Sequence, residues 1–183
     1  MDKHQTGFTL TEMMVVTGIV AILLGIAIPS YKYLTTSYRM SAELNNLSGD
    51  FQYARAEAIK EGNSVTMCVS SDGASCTGGT NWNVGWIVFS DPNFNAVVDP
   101  GERVWKVGAA FNGTTPDSAN SQNAPTSSVT YNREGFASFA AFAGSQIDIK
   151  DPNNTLTYTR CLLIVPVGTV SSLNNVHDPV NCP

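Results

Sequence analysis

Residues 7–29 read Gly7-Phe8-Thr9-Leu10-Thr11-Glu12, then MMVVTGIVAILLGIAI over 13–28, then Pro29. No charged side chain occurs within 13–28, and the 21 residues 8–28 carry only Glu12. At about 1.5 Å rise per residue such a helix covers about 30 Å, the hydrocarbon thickness of a bilayer. The segment is therefore long and apolar enough to span a membrane. A secretory signal peptide is the competing reading, since Lys3 and His4 precede the run and Gly25-Ile26-Ala27 offers a small-x-small cleavage site. Two features oppose it. Glu12 lies near the start of the run, where a carboxylate is costly: about 2.5–3.5 kcal/mol at mid-bilayer on insertion scales, and less toward the edge. The helical pattern also continues past Pro29, which a discarded leader has no reason to do.

Beyond Pro29 the pattern turns amphipathic. Met40, Leu44, Leu47, Phe51, Ala54 and Ala58 recur at spacings of four and three, which places them on one helical face. Glu43, Asn46, Asp50, Arg55 and Glu57 are assigned to the opposite face. Gly62-Asn63 ends the pattern, as a glycine just past a helix should. The expected helix runs from Phe8 to about Lys60, with a bend at Pro29, which removes one backbone hydrogen bond. After Gly62 come short β-type runs, with strands expected over 64–69, 85–89, 103–107, 129–132, 136–142, 145–149 and 156–165. Asp72-Gly73, Asp99-Pro100-Gly101, Gly135 and Asp151-Pro152-Asn153-Asn154 supply turns between them. The polar stretch 112–128 reads as an exposed loop. One long helix followed by an all-β remainder gives α+β, the helix packed on antiparallel sheets.

Composition excludes several functions. The chain has 183 residues, 43% hydrophobic and 14% charged, with net charge −5 and two histidines. A chain this short does not build a barrel enzyme, and an acidic balance argues against a dedicated nucleic-acid binder, whose footprint is a basic face. No G-x-S-x-G, Walker A, H-E-x-x-H or G-x-G-x-x-G motif occurs. His177, next to Asp178 in a Pro-bounded tail, reads as solvated surface rather than a general base. The chain is expected to be a structural protein with no cofactor.

The string 7–12, its apolar run and Pro29 resemble the class III signal of type IV pilins and type II secretion pseudopilins. The resemblance implies that a prepilin peptidase cuts between Gly7 and Phe8 and that the new Phe8 amine is N-methylated. Residues 1–7 are then a leader, 8–30 the transmembrane or filament-core half of the helix, and 31–183 a periplasmic domain, with the amphipathic helix half ending at about 61. Glu12 becomes the fifth mature residue. It is tolerable in the membrane when paired, and the resemblance supplies the Phe8 amine of a neighbouring subunit as its partner during assembly. The segments 129–136 (VTYNREGF) and 160–168 (RCLLIVPVG) resemble the two signature strands of the GspH/FimT-like branch of minor pilins and pseudopilins.

That branch implies a minor pilin of a type IV pilus, helping to prime assembly at the tip. A minor pseudopilin of type II secretion and a DNA-uptake minor pilin are the alternatives. Implied partners are the prepilin peptidase, other minor and major pilins, the inner-membrane assembly platform and, before assembly, inner-membrane lipid. The implied location is a single pass in the inner membrane with a periplasmic domain, then the surface filament. In some relatives DNA is bound through a Gly-Arg-x-Arg motif after the last strand. Here the position reads Gly168-Thr169-Val170-Ser171, without either arginine, so direct DNA binding is not expected.

Four cysteines suit an oxidising periplasm and allow three pairings. The expected one joins Cys68 to Cys76 and Cys161 to Cys182. A zinc site competes, but no C-x₂-C pair is present. Asp91, Asn93, Asn95, Asp99 and Glu102 fall at positions 1, 3, 5, 9 and 12 of an EF-hand-type loop. Ala96 stands where the sharp turn calls for glycine, and the flanks read as strands, so a polar hairpin loop is the favoured reading and no metal is assigned.

Overall fold

The computed structural model describes residues 7–111, 117–122, 126–139 and 145–182. Residues 1–6 of the expected leader, His4 among them, lie outside the described residues. So do parts of the expected 112–128 loop and 136–142 strand.

Helix α1 covers Leu10–Glu61. Thr9 caps it, its Oγ1 accepting the Glu12 N–H at 3.2 Å. Gly62, at φ 66°, ends it in the left-handed conformation that lacks a Cβ penalty. Pro29 falls inside α1. The chain divides into two compact units, Met1–Tyr38 and Arg39–Pro183.

In the second unit, the amphipathic stripe becomes the core. Met40, Leu47, Phe51, Ala54 and Ala58 are fully buried and Leu44 nearly so. Two antiparallel sheets form the rest. The first has the order β3-β2-β1-β5-β6, built from β1 (Val65–Val69), β2 (Trp86–Ser90), β3 (Val104–Gly108), β5 (Ser128–Tyr131) and β6 (Ala137–Ser138). The second has the order β4-β7-β8-β9, from β4 (Ser118–Gln122), β7 (Ser145–Lys150), β8 (Arg160–Ile164) and β9 (Val170–Asn174). Alternate residues of both sheets, including Met67, Val88, Val129, Ile147, Ile149, Leu162 and Ile164, close over the helix stripe. The Phe51 ring meets the Trp82 indole at 5.2 Å between centroids.

Several expectations need correction. Glu43 and Asp50, assigned to the outward face of the helix, are buried. The stretch 112–128 is not all loop, since β4 lies within it. The run 156–165 is not one strand: Leu156–Tyr158 forms a 3-10 turn, and β8 begins at Arg160. Strand β9 was not expected. Both unexpected strands, SANSQ and VSSLN, are edges of the second sheet, where polar side chains are tolerated and the strand signal is weak.

Disulfides join Cys68 to Cys76 and Cys161 to Cys182, at sequence separations of 8 and 21. On the loop-entropy model the two contribute about 2.5 and about 3 kcal/mol. The longer one fastens the C-terminal tail to β8, where the Asn175 amide also donates to the Cys182 carbonyl at 2.8 Å.

Candidate functional site

The chain's first chemical feature is its N-terminal segment. Gly7, Phe8 and Thr9 precede the first turn of α1, and Phe8 is 80% exposed. A peptide bond outside helical hydrogen bonding, with exposed side chains, is one a protease can draw into an extended site. The Thr9 cap, unremarked in the sequence reading, carried a signal: Thr followed three residues later by Glu is the capping-box pattern. Glu12 itself is exposed, in the first turn, where a carboxylate complements the helix dipole.

The run that follows is exposed residue after residue through Ile28. Its hydroxyls find partners on the helix itself: Thr17 Oγ1 donates to the Met13 carbonyl at 2.9 Å and Ser30 Oγ to the Ile26 carbonyl at 3.1 Å. Such a span presents little that needs water, and by length and composition it can cross a membrane.

The two signature segments meet at one point of the second unit. Gly135, at φ 83°, follows β5, and Gly168, at φ 82°, lies in the turn between β8 and β9. A Cβ on Gly168 would drive into the Gly135 carbonyl oxygen, so only glycine allows this approach. Arg55 of α1 locks the junction, donating to the Gly135 carbonyl at 2.9 Å and the Val167 carbonyl at 3.2 Å. The Ala137 N–H donates to the Pro166 carbonyl at 2.9 Å, so the two sheets are joined directly there. The turn at Gly168-Thr169-Val170-Ser171 is thus a packing joint, and the guanidinium that reaches it is held by carbonyls.

The loop 91–102 satisfies itself. Asp91 is fully buried, its carboxylate accepting from Thr66 Oγ1 at 2.6 Å and from the N–H groups of Asn95 and Ala96. The Asn93 and Asn95 amides both donate to Asp99 at 2.8 and 2.7 Å, which holds that carboxyl below its ordinary range. Ala96 adopts φ 56°, the left-handed turn where glycine would be expected. Among the described residues no group of three or more His, Cys, Asp or Glu is arranged to hold a metal ion. His177 is exposed in the tail.

The buried acids of α1 are held by residues far along the chain. Asp117, ahead of β4, accepts from Nε and Nη2 of Arg39, each at 2.8 Å. Glu43 stands beside it, and burial, followed by the Asp117 carboxylate, pushes its carboxyl up to about 8 against the opposing pull of Arg39. Asp50 accepts the Trp86 indole N–H at 2.7 Å and pairs with Lys106 at 2.5 Å. Arg39, Glu43, Asp50, Trp86 and Lys106 line a cleft of about 390 Å³ beside β3.

Residues 43–168 match the family described as type II transport protein GspH, and residues 2–28 match the prokaryotic N-terminal methylation motif. The chain is 34% identical to the pilin-like protein PilA1 of Thermus thermophilus over 98 residues, 52% of this chain and 54% of that protein. It is 40% identical to prepilin peptidase-dependent protein D of Escherichia coli over 83 residues, 44% of this chain and 49% of that one. The match therefore spans about half the length of these curated relatives. Two crystal structures of the type IV minor pilin FimU of Pseudomonas aeruginosa share the fold at 15% identity. Their TM-scores are 0.50 and 0.53, covering 78% and 81% of this chain and 94% and 92% of theirs. The family match spans well over half of the chain and the fold is that of a pilin, so the chain belongs to the GspH family, structural pilin-like subunits rather than enzymes.

Proposed function

We propose that this chain is a minor pilin of a type IV pilus, made with a leader that a prepilin peptidase removes between Gly7 and Phe8. The Phe8 amine is then N-methylated, and 8–30 holds the subunit in the inner membrane until it joins the filament, where it helps to prime assembly at the tip. In the filament Glu12 pairs with the Phe8 amine of a neighbour. The observation that carries this reading is one helix with two fates: an apolar first part with every side chain exposed, and a second part whose stripe is the core of a GspH-type domain. The pilus is favoured because relatives above 30% identity are named a pilin-like protein and a fimbrial protein. A pseudopilin of type II secretion is the second reading, favoured by the family's own description.

Mass spectrometry of the mature chain tests the processing: the expected N-terminus is methylated Phe8. Glu12→Ala should leave the chain processed and membrane-inserted but lower its recovery in sheared filaments more than about tenfold, since removing one partner of a buried pair costs about 3–5 kcal/mol. Normal recovery would refute the pairing. Deleting the gene separates the systems: loss of surface pili supports the first reading, and loss of protein secretion with intact pili supports the second.

A further inference from the structure

We propose that Tyr31, Lys32 and Tyr33 form an interfacial anchor that seats α1 in the outer headgroup layer of the membrane and so holds Glu12 at the opposite headgroup level. The inference rests on the membrane-anchored reading above. Glu12 and Lys32 bound a charge-free stretch of 19 residues, 13–31. As a helix it measures about 28 Å, against a hydrocarbon thickness of about 30 Å. Both charges therefore reach headgroups at once. A register that starts the hydrocarbon at Phe8 would instead carry Glu12 about 6 Å inside it, at the cost of an unpaired carboxylate in lipid.

The side chains at the outer boundary suit this placement. Tyr31 is 70% and Tyr33 48% exposed, and Lys32 is exposed between them. Tyrosine is enriched at membrane interfaces because its ring prefers the acyl boundary and its hydroxyl prefers water, and lysine can extend its ammonium outward from the same depth. Three consecutive helical positions point about 100° apart, so these side chains spread over about 200° of the helix circumference. A spread this wide suits a lipid layer, which meets the helix on more than one face.

The test uses the full-length chain in phosphatidylcholine–phosphatidylglycerol vesicles. All four cysteines are paired, so Leu24→Cys introduces a single thiol for a nitroxide label. Its depth is read from relative accessibility to oxygen and to a water-soluble nickel chelate. Adding Tyr31→Ala and Tyr33→Ala should shift the label by about 3 Å or more, two residue rises, and Tyr31→Trp with Tyr33→Trp should restore it. A label that stays membrane-embedded at unchanged depth in the alanine variant overturns the anchor. If that variant also loses filament recovery, the tyrosines belong to subunit packing instead. A label accessible to the nickel chelate and not preferentially to oxygen, in a chain extracted by carbonate, overturns the membrane-anchored reading itself.

Discussion

The two parts of α1 share a backbone and differ in what surrounds them. From Leu10 through Ile28 every side chain is exposed, whereas between Met40 and Ala58 a stripe is buried completely. The first part is apolar all round, which suits lipid or a protein interior, and the second is apolar along one face, which suits packing on a globular core. The difference teaches that periodicity, more than total hydrophobicity, assigns each part its surroundings.

The largest expected effect tests that difference directly. Phe51→Ala should cost about 3–5 kcal/mol, because the ring is buried against Trp82, while Leu24→Ala, 52% exposed, should stay within about 0.5 kcal/mol in detergent. Denaturant unfolding followed by tryptophan fluorescence measures both, and equal costs would break the comparison. Glycines sharpen it. Gly168→Ala forces a left-handed residue into the Gly135 carbonyl and should cost about 2–3 kcal/mol. Gly25→Ala meets nothing within 4 Å and should be neutral or add up to about 1 kcal/mol of helix stability.

The remaining test concerns pH. Glu43 titrates near 8 in the folded chain and near 4.5 when unfolded, so between those values the folded chain holds a proton that the unfolded chain has lost. Its contribution is fully present below about pH 4.5 and is lost as pH rises through 8. Glu43→Gln should flatten the fall of Tm between pH 5 and 8. Burial raises Asp148 in the same direction, so its contribution is likewise lost as pH rises. An unchanged slope would show that Glu43 is not the group responsible.

Much of this arrangement was legible from residues. The stripe from Met40 to Ala58 needs only the helical repeat, and the glycine after the last turn marks the helix end. The cysteine pairing expected from the sequence is the one in the structure. Glu43 and Asp50 were misplaced for an identifiable reason. Helical angle locates a residue relative to its own helix, but Asp117 lies 74 positions beyond Glu43, and Trp86 and Lys106 come from β2 and β3. The EF-hand-like spacing at 91–102 is equally local. It counts acids and amides, yet cannot show Asp91 turned inward to Thr66. Strands β4 and β9 escaped because edge strands need no apolar alternation.

By itself the sequence determined the apolar span, the amphipathic helix and the α+β class, because each is written in neighbouring residues and short periods. Only the tertiary structure decided how distant segments meet. It placed Gly168 against Gly135 under Arg55, drew Asp117 onto Arg39 beside Glu43, and set polar β4 and β9 at the margins of a sheet. These are contacts across many tens of residues, and their energies depend on close approach and exclusion of water, which no local pattern in the chain encodes.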